Sequence, residues 1–207
     1  MTDNRGAYAD GLLDRALNRA LQPPEIRAYL DAELELLDRL IEPGMRVLDV
    51  GCGTGRHLLE FADRLGPSVG IDYENHYVDI ARAAAPSNIR FLVADAVEIP
   101  LEEAFDLAIC MMNTWGTMEA QDEVVVEMRR LAPQPDSRVI SVYTTKSVPA
   151  RLEWYERLGH HLLEQGEQYL QLSGGFRSQH FTESELTTRL GACSKTTLGG
   201  IGVAARF

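Results

Sequence analysis

Cysteine is scarce in this chain and unpatterned. Cys52, Cys110 and Cys193 lie far apart and form no CxxC, which leaves no disulfide framework and no zinc site and fits reduced thiols. No run approaches the ~18 apolar residues needed to span a bilayer. The polar start, Met1-Thr2-Asp3-Asn4-Arg5, leads into no signal-like apolar core, so a cytoplasmic protein is expected. Positive charge is also short. The chain has 20 basic against 31 acidic residues and a net charge of −11, which argues against a nucleic-acid backbone as main partner and serves solubility. No repeat, low-complexity tract or linker divides the 207 residues, a length that suits one domain with a sizeable core.

Hydrophobic periodicity organises what is present. Ala9, Leu12, Leu13, Ala16, Leu17, Ala20 and Leu21 follow helical spacing up to Pro23-Pro24. A second helix starts near Glu25, with Ile26, Tyr29, Leu30, Leu34, Leu37, Leu40 and Ile41 on one face, and Pro43-Gly44 ends it. Beyond Pro43, strands are predicted at 46–50, 68–72, 89–94, 105–111 and 138–143, with helices at 56–64, 75–84, 121–131 and 148–158. Continuously apolar strands such as Leu107-Ala108-Ile109-Cys110-Met111 suit a parallel sheet covered on both faces. The alternation implies βαβ units in an α/β, doubly wound sheet. The C-terminal quarter reads differently: a hairpin insertion near 168–181, a helix capped by Thr182 with Glu185 in capping-box spacing, and a closing hairpin over 194–207.

The most telling stretch is Val47-Leu48-Asp49-Val50-Gly51-Cys52-Gly53-Thr54-Gly55-Arg56-His57, an apolar strand running through a glycine turn into a helix. In open α/β sheets ligands bind beyond the carboxyl ends of the strands. The second strand ends at Asp72, about 20 residues after Gly51, where an ionised carboxylate would grip a ribose diol. The third ends in Ala94-Asp95-Ala96, where a carboxylate would accept from an adenine amine. The dinucleotide pattern G-x-G-x-x-G fails, because Arg56 stands three residues after Gly53. Asp49, Asp72 and Asp95 would repel a diphosphate and favour a cationic, phosphate-free adenosine.

Val47 to Gly55 resembles the signature loop of the class I S-adenosylmethionine-dependent methyltransferases. Gly70-Ile71-Asp72, Ala94-Asp95-Ala96 and Phe105-Asp106-Leu107 resemble that family's next three motifs, in order and at the usual spacing. The resemblance covers roughly residues 40–145. It implies a Rossmann-like seven-stranded sheet ordered 3-2-1-4-5-7-6 with an antiparallel last strand. It also implies an N-terminal helical cover over 1–42 and a catalytic domain over 43–207. The cofactor would be S-adenosyl-L-methionine, with S-adenosyl-L-homocysteine as product. Its expected contacts are Asp49, Gly51, Cys52, Gly53, Asp72, Tyr73, Asp95, Ala96 and Met111. Asp49 either meets the ligand or holds the glycine loop through backbone amides, Cys52 offers its amide, and Tyr73 would stack on adenine. Met111 and Met112 are expected to alternate, one toward the core and one toward the pocket.

For the acceptor, the candidates are Asn113 and Trp115 after the fourth strand, Tyr143 after the fifth, and Arg177 and His180 near the late hairpin. Arg177 would grip a carboxylate in fork geometry. His180 would be a base, and Asn113 and Tyr143 complete the expected catalytic set. His160-His161, at a helix end, reads as solvated. The stretch Asn113-Thr114-Trp115-Gly116 departs from the Asn/Asp-Pro-Pro-Tyr/Phe motif of enzymes that methylate amines on nucleobases or glutamine. With the acidic charge, this points to a small-molecule or short-peptide acceptor, without metal or membrane. A methyltransferase-like partner subunit that transfers no methyl, and a nicotinamide oxidoreductase, are the competing readings.

Overall fold

Strands that are apolar on both faces need cover on both sides, and the chain supplies it by alternating strand with helix. A computed structural model describes Asn4, Gly6, Tyr8 and residues 11–207. Ala9 and most of the polar start lie outside the described residues.

The elements are α1 (Leu12–Leu17), α2 (Pro24–Leu40), β1 (Val47–Val50), α3 (Arg56–Glu60), β2 (Ser68–Asp72), α4 (Asn75–Ala84), β3 (Ile89–Val93) and β4 (Leu107–Cys110). There follow α5 (Gln121–Leu131), β5 (Arg138–Tyr143), α6 (Val148–Arg157), β6 (Leu162–Gln165), β7 (Tyr169–Leu172), β8 (Arg177–Gln179), α7 (Glu183–Leu190), β9 (Ser194–Leu198) and β10 (Gly202–Arg206). The main sheet runs β3-β2-β1-β4-β5-β10-β9, the predicted order, with β10 antiparallel to both of its neighbours. Side chains alternate across it. Val47, Leu107 and Ile109 join Ile26, Leu30 and Leu37 of α2 in one core, while Leu48, Ala108 and Cys110 join Val124, Met128 and Leu186 in the other.

Four local expectations are corrected. The first helix is interrupted at Asn18, which takes extended geometry (ψ 107°) and uses its own side chain to accept from Ala20 N–H; a short 3-10 turn then carries Arg19 to Leu21. The helix expected over 56–64 stops at Glu60, because Arg64 turns back to the end of α2, donating to Asp38 O at 3.0 Å and to Ile41 O. The strand expected over 105–111 ends at Cys110, and Met112 takes φ +58°. The late hairpin gains a strand: β6 pairs with β7 in a separate sheet ordered β6-β7-β8. Its residues are exposed on both faces, so no hydrophobic alternation announced it. The capping box forms as expected, with Thr182 N–H donating to Glu185 Oε2 at 2.7 Å.

Candidate active site

A cavity of about 320 Å³ opens beyond the carboxyl ends of the parallel strands. Its walls come from the glycine loop after β1, the ends of β2, β3, β4 and β5, α1, α6 and β8. The glycine loop is pinned to the end of β2 by backbone amides. Gly51 and Cys52 N–H both donate to Ile71 O, at 2.8 and 2.9 Å, and Gly53 N–H donates to Asp72 Oδ2 at 2.9 Å. Gly51 and Gly53 have φ of +73° and +53°, and a Cβ on either would collide with Thr114 or Leu13. Cys52 therefore spends its amide inside the loop rather than offering it, and burial pushes its thiol pKa well up.

The three acids occupy different surroundings. Asp72 spans two backbone amides, Gly53 N–H and Glu74 N–H, each at 2.9 Å. Burial raises its pKa, against the pull of those two amides. Asp95 is exposed at the rim, accepting from Val97 N–H at 3.2 Å, with Ala96 beside it on the cavity wall. Asp49 is buried behind Gly51. It is not among the residues that line the cavity; among the described residues neither of its carboxylate oxygens has a hydrogen-bond partner, and Oδ2 lies 3.4 Å from His57 Nδ1. It does not hold the glycine loop by backbone amides; Ile71 and Asp72 do that. Tyr73 lines the same end, edge-on to Tyr8 with ring centroids 6.2 Å apart.

After β4 the chain makes two left-handed residues, Met112 (φ +58°) and Asn113 (φ +57°). Such backbone is costly away from glycine and needs support. Glu33 of α2, wholly buried, supplies it: Oε1 accepts from Met112 N–H at 2.6 Å and from Ser141 Oγ, while Oε2 lies 3.4 Å from Arg56 Nη1. Asn113 ties three elements together. Its Oδ1 accepts from Tyr143 N–H at 3.0 Å, and its Nδ2 donates to Ser178 Oγ and Gln179 O, both at 3.2 Å. Because the strand has already ended, Met111 and Met112 both reach the cavity instead of dividing between core and pocket.

Of the acceptor candidates, Asn113 and Tyr143 line the cavity and three others lie outside it. Trp115 is wholly buried on the opposite side of the sheet, stacked on Phe181 at 5.0 Å and donating from Nε1 to Gln121 O at 2.9 Å. Arg177 lies over the Tyr169 ring at 3.7 Å. Alternation along β8 turns Ser178 toward the cavity and Arg177 away from it. His180 sits in a separate small depression, with Nε2 3.0 Å from Glu167 O and Nδ1 3.3 Å from Arg151 Nη1. Burial and the Arg151 charge lower its pKa. His160 is half-buried, with Nδ1 3.1 Å from Ser173 O, and His161 is exposed.

Sequence reasoning missed Tyr8, Glu33, His57, Trp154, Tyr155, Phe176 and Ser178. Glu33 left a signal: an acid on the apolar stripe of α2, at helical spacing from Ile26, Tyr29, Leu30 and Leu37. The position of Trp115 has a measurable consequence. Trp115→Phe should lower stability by ~1 kcal/mol, the worth of one buried hydrogen bond, in urea unfolding and leave acceptor affinity unchanged. Weaker acceptor binding at unaltered stability would return the ring to the site.

The profile of a family described as "Methyltransferase domain" matches residues 41–186. The chain is 38% identical over 78 residues to an O-methyltransferase of Pyrenophora dematioidea, covering 34% of this chain and 29% of that one. It is 29% identical over 154 residues to an uncharacterized methyltransferase of Mycobacterium tuberculosis, covering 74% of this chain and 55% of that one. The chain thus spans between 29% and 55% of the length of these curated relatives. Among solved structures, the PH0226 protein from Pyrococcus horikoshii shares the fold at TM-score 0.68 and 20% identity, over 90% of this chain and 92% of that one. Magnesium protoporphyrin IX methyltransferase from Synechocystis does so at TM-score 0.65 and 16% identity, over 99% and 95%.

Strand order, glycine loop and acid-lined cavity define the class I, S-adenosylmethionine-dependent methyltransferase fold. The chain belongs to the methyltransferase-domain family. The residues present fit the cofactor of that class. Asp72 keeps lone pairs beyond its two amide bonds, the glycine loop admits close approach, and behind His57 of the cavity wall Asp49 holds two buried oxygens with no hydrogen-bond partner among the described residues.

Proposed function

We propose that this protein transfers a methyl group from S-adenosyl-L-methionine to an oxygen or nitrogen of a small molecule or short peptide. The observation that carries this reading is one cavity with two unlike ends. Asp72, Asp95 and the glycine loop line one; Tyr143, Trp154, Tyr155 and Phe176 line the other. In this reading Asp72 accepts from the ribose hydroxyls, Asp95 and Ala96 meet the adenine, Tyr73 stacks on it, and Asp49 lies toward the amino-acid portion. Gly51, Gly53, Cys52 and Met111 form the surface beneath. The cofactor supplies a methyl on a sulfonium with a neutral thioether as leaving group. The chain's share is alignment and dryness. Asn113 fixes the ends of β4, β5 and β8 relative to one another, and Tyr143 faces the acceptor. The O-methyltransferase relative from Pyrenophora, and the S-adenosylhomocysteine bound in the Synechocystis structure, support the same reading.

Titration calorimetry with S-adenosylhomocysteine, followed by a labelled-methyl transfer assay over a small-molecule panel, tests it. Binding of S-adenosylhomocysteine and transfer to at least one acceptor are expected. Preferential binding of NAD(P) would overturn the reading. Cofactor binding without turnover, beside stable co-purification with a second protein, would favour the silent partner subunit instead.

A further inference from the structure

The aromatic end of the cavity rests on a buried cation with no counter-charge. Arg151 of α6 is fully inaccessible, yet no Asp or Glu among the described residues pairs with it. Its guanidinium donates to Ser178 O at 2.8 Å and Ser178 Oγ at 2.6 Å. Ser147 Oγ and Tyr155 Oη are each 3.4 Å away, and His180 Nδ1 is 3.3 Å away. It lies over the rings of Tyr143, at 4.8 Å, and Tyr155, at 5.6 Å. A guanidinium buried among neutral acceptors projects its positive potential through a low-dielectric wall, and Ser178, Tyr143 and Tyr155, which it touches, line the cavity.

The wall converts that potential into hydrogen-bond donors. Ser178 Oγ lies 2.6 Å from Arg151 Nη2, 2.9 Å from Tyr155 Oη and 3.2 Å from Asn113 Nδ2, and so joins the guanidinium to the cavity wall. Tyr143 Oη and Trp154 Nε1 are buried with no hydrogen-bond partner among the described residues, and both residues line the cavity beside Ser178. Burial holds the Tyr143 phenol protonated, so it too offers a proton. Buried tyrosine and tryptophan normally find a partner. Here neither has one among the described residues.

We propose that this end of the cavity binds the methyl acceptor through an anionic oxygen, a carboxylate or a phenolate carried on a planar apolar body. The ring faces of Tyr155, Phe176 and Trp154 take the body, and the Tyr143 O–H and Trp154 N–H take the charge. Charge-assisted hydrogen bonds are the strong ones, and an oxyanion supplies the acceptors that the wall lacks. An ammonium would face donors and a guanidinium of its own sign. This inference rests on the methyltransferase reading and names its substrate class.

The test uses the full chain saturated with S-adenosylhomocysteine, and titrates benzoate, ionised 4-nitrophenol, benzamide and benzylamine. Either anion should bind at least ~10-fold more tightly than benzamide, and benzylamine most weakly, as expected for charge-assisted bonds. Tighter binding of benzoate than of the phenolate identifies a two-oxygen site, and the reverse order a one-oxygen site. Tyr143→Phe removes one donor with little change in shape and should weaken the anions ~10-fold, leaving S-adenosylhomocysteine affinity as it was. Benzylamine binding as tightly as benzoate, or no anion binding at millimolar concentration, overturns the oxyanion site while the methyltransferase reading stands. Failure of S-adenosylhomocysteine itself to bind overturns that reading instead. The ranking of probes on the unmodified chain decides the matter even if a variant folds poorly.

Discussion

Replacing Glu33 with alanine is expected to cost ~3–5 kcal/mol of stability, the range for removing one member of a buried charged network. Three groups converge on that carboxylate, and a fourth backs one of them. Met112 N–H and Ser141 Oγ donate to it, Arg56 lies beside it, and Tyr29 Oη donates to Ser141 Oγ at 3.1 Å. Alanine strands all of them in the core. At roughly 2–4 °C per kcal/mol for a chain of this size, the melting temperature should fall by about 10 °C. Glu33→Gln keeps the acceptor for Met112 N–H and loses only the charge, so a smaller loss of ~1–2 kcal/mol is expected. The ranking wild type, Gln, Ala in urea unfolding checks this. An alanine variant within ~0.5 kcal/mol of wild type, the scatter of ordinary surface substitutions, would mean that the left-handed turn at Met112 and Asn113 stands without its brace.

Asp72→Ala should lower affinity for S-adenosylhomocysteine by ~100-fold or more at neutral pH, since two charge-assisted bonds at ~1.5–3 kcal/mol each are lost. The pH dependence carries a sign that separates this from general damage. Burial raises the folded-state pKa of Asp72 above the unfolded value. Its contribution to stability is therefore complete below the ordinary carboxylate pKa of 3.8 and is lost as pH rises through the raised value. At neutral pH the fold carries a buried charge at a cost. Ligand binding runs the other way, because ribose hydroxyls need the ionised form as acceptor. Affinity should fall on acidification through the raised pKa, and Asp72→Ala should be flat across that window. A wild-type profile as flat as the variant's would remove Asp72 from the ribose.

The glycine loop and the acids at the strand ends were legible because each is local. A turn needs φ above zero at fixed positions, and a carboxylate at a strand end points wherever the strand does. The acceptor side was not local. Arg177 and Ser178 differ by one position on a three-residue strand, and which of them faces the cavity depends on register set through the Gly174-Gly175 turn and β7. Arg177 carries the more suggestive chemistry; Ser178 faces the cavity. Trp115 follows two left-handed residues, a geometry that no propensity of methionine or asparagine announces, and so turns to the far side of the sheet. Glu33 was visible as an acid on an apolar stripe, but its partners lie 79 and 108 residues further on. Arg151 was equally hidden, as a cation in a helix whose counterpart is not an acid.

The reversed strand β10, held between β5 and β9, also orders events in time. A ribosome delivers β5 well before β10, and Arg138 meets the backbone of Phe207 only at a sequence separation of 69. Until then the outer edge of β5 is an unpaired template, open to other chains. Glu33 waits longer still for Ser141, with a separation of 108. While it waits, α2 displays an acid in the middle of its apolar stripe. Hydrated and charged, that residue keeps the nascent helix from being an uninterrupted hydrophobic surface, and it is withdrawn from water only when the strands that receive it have been made.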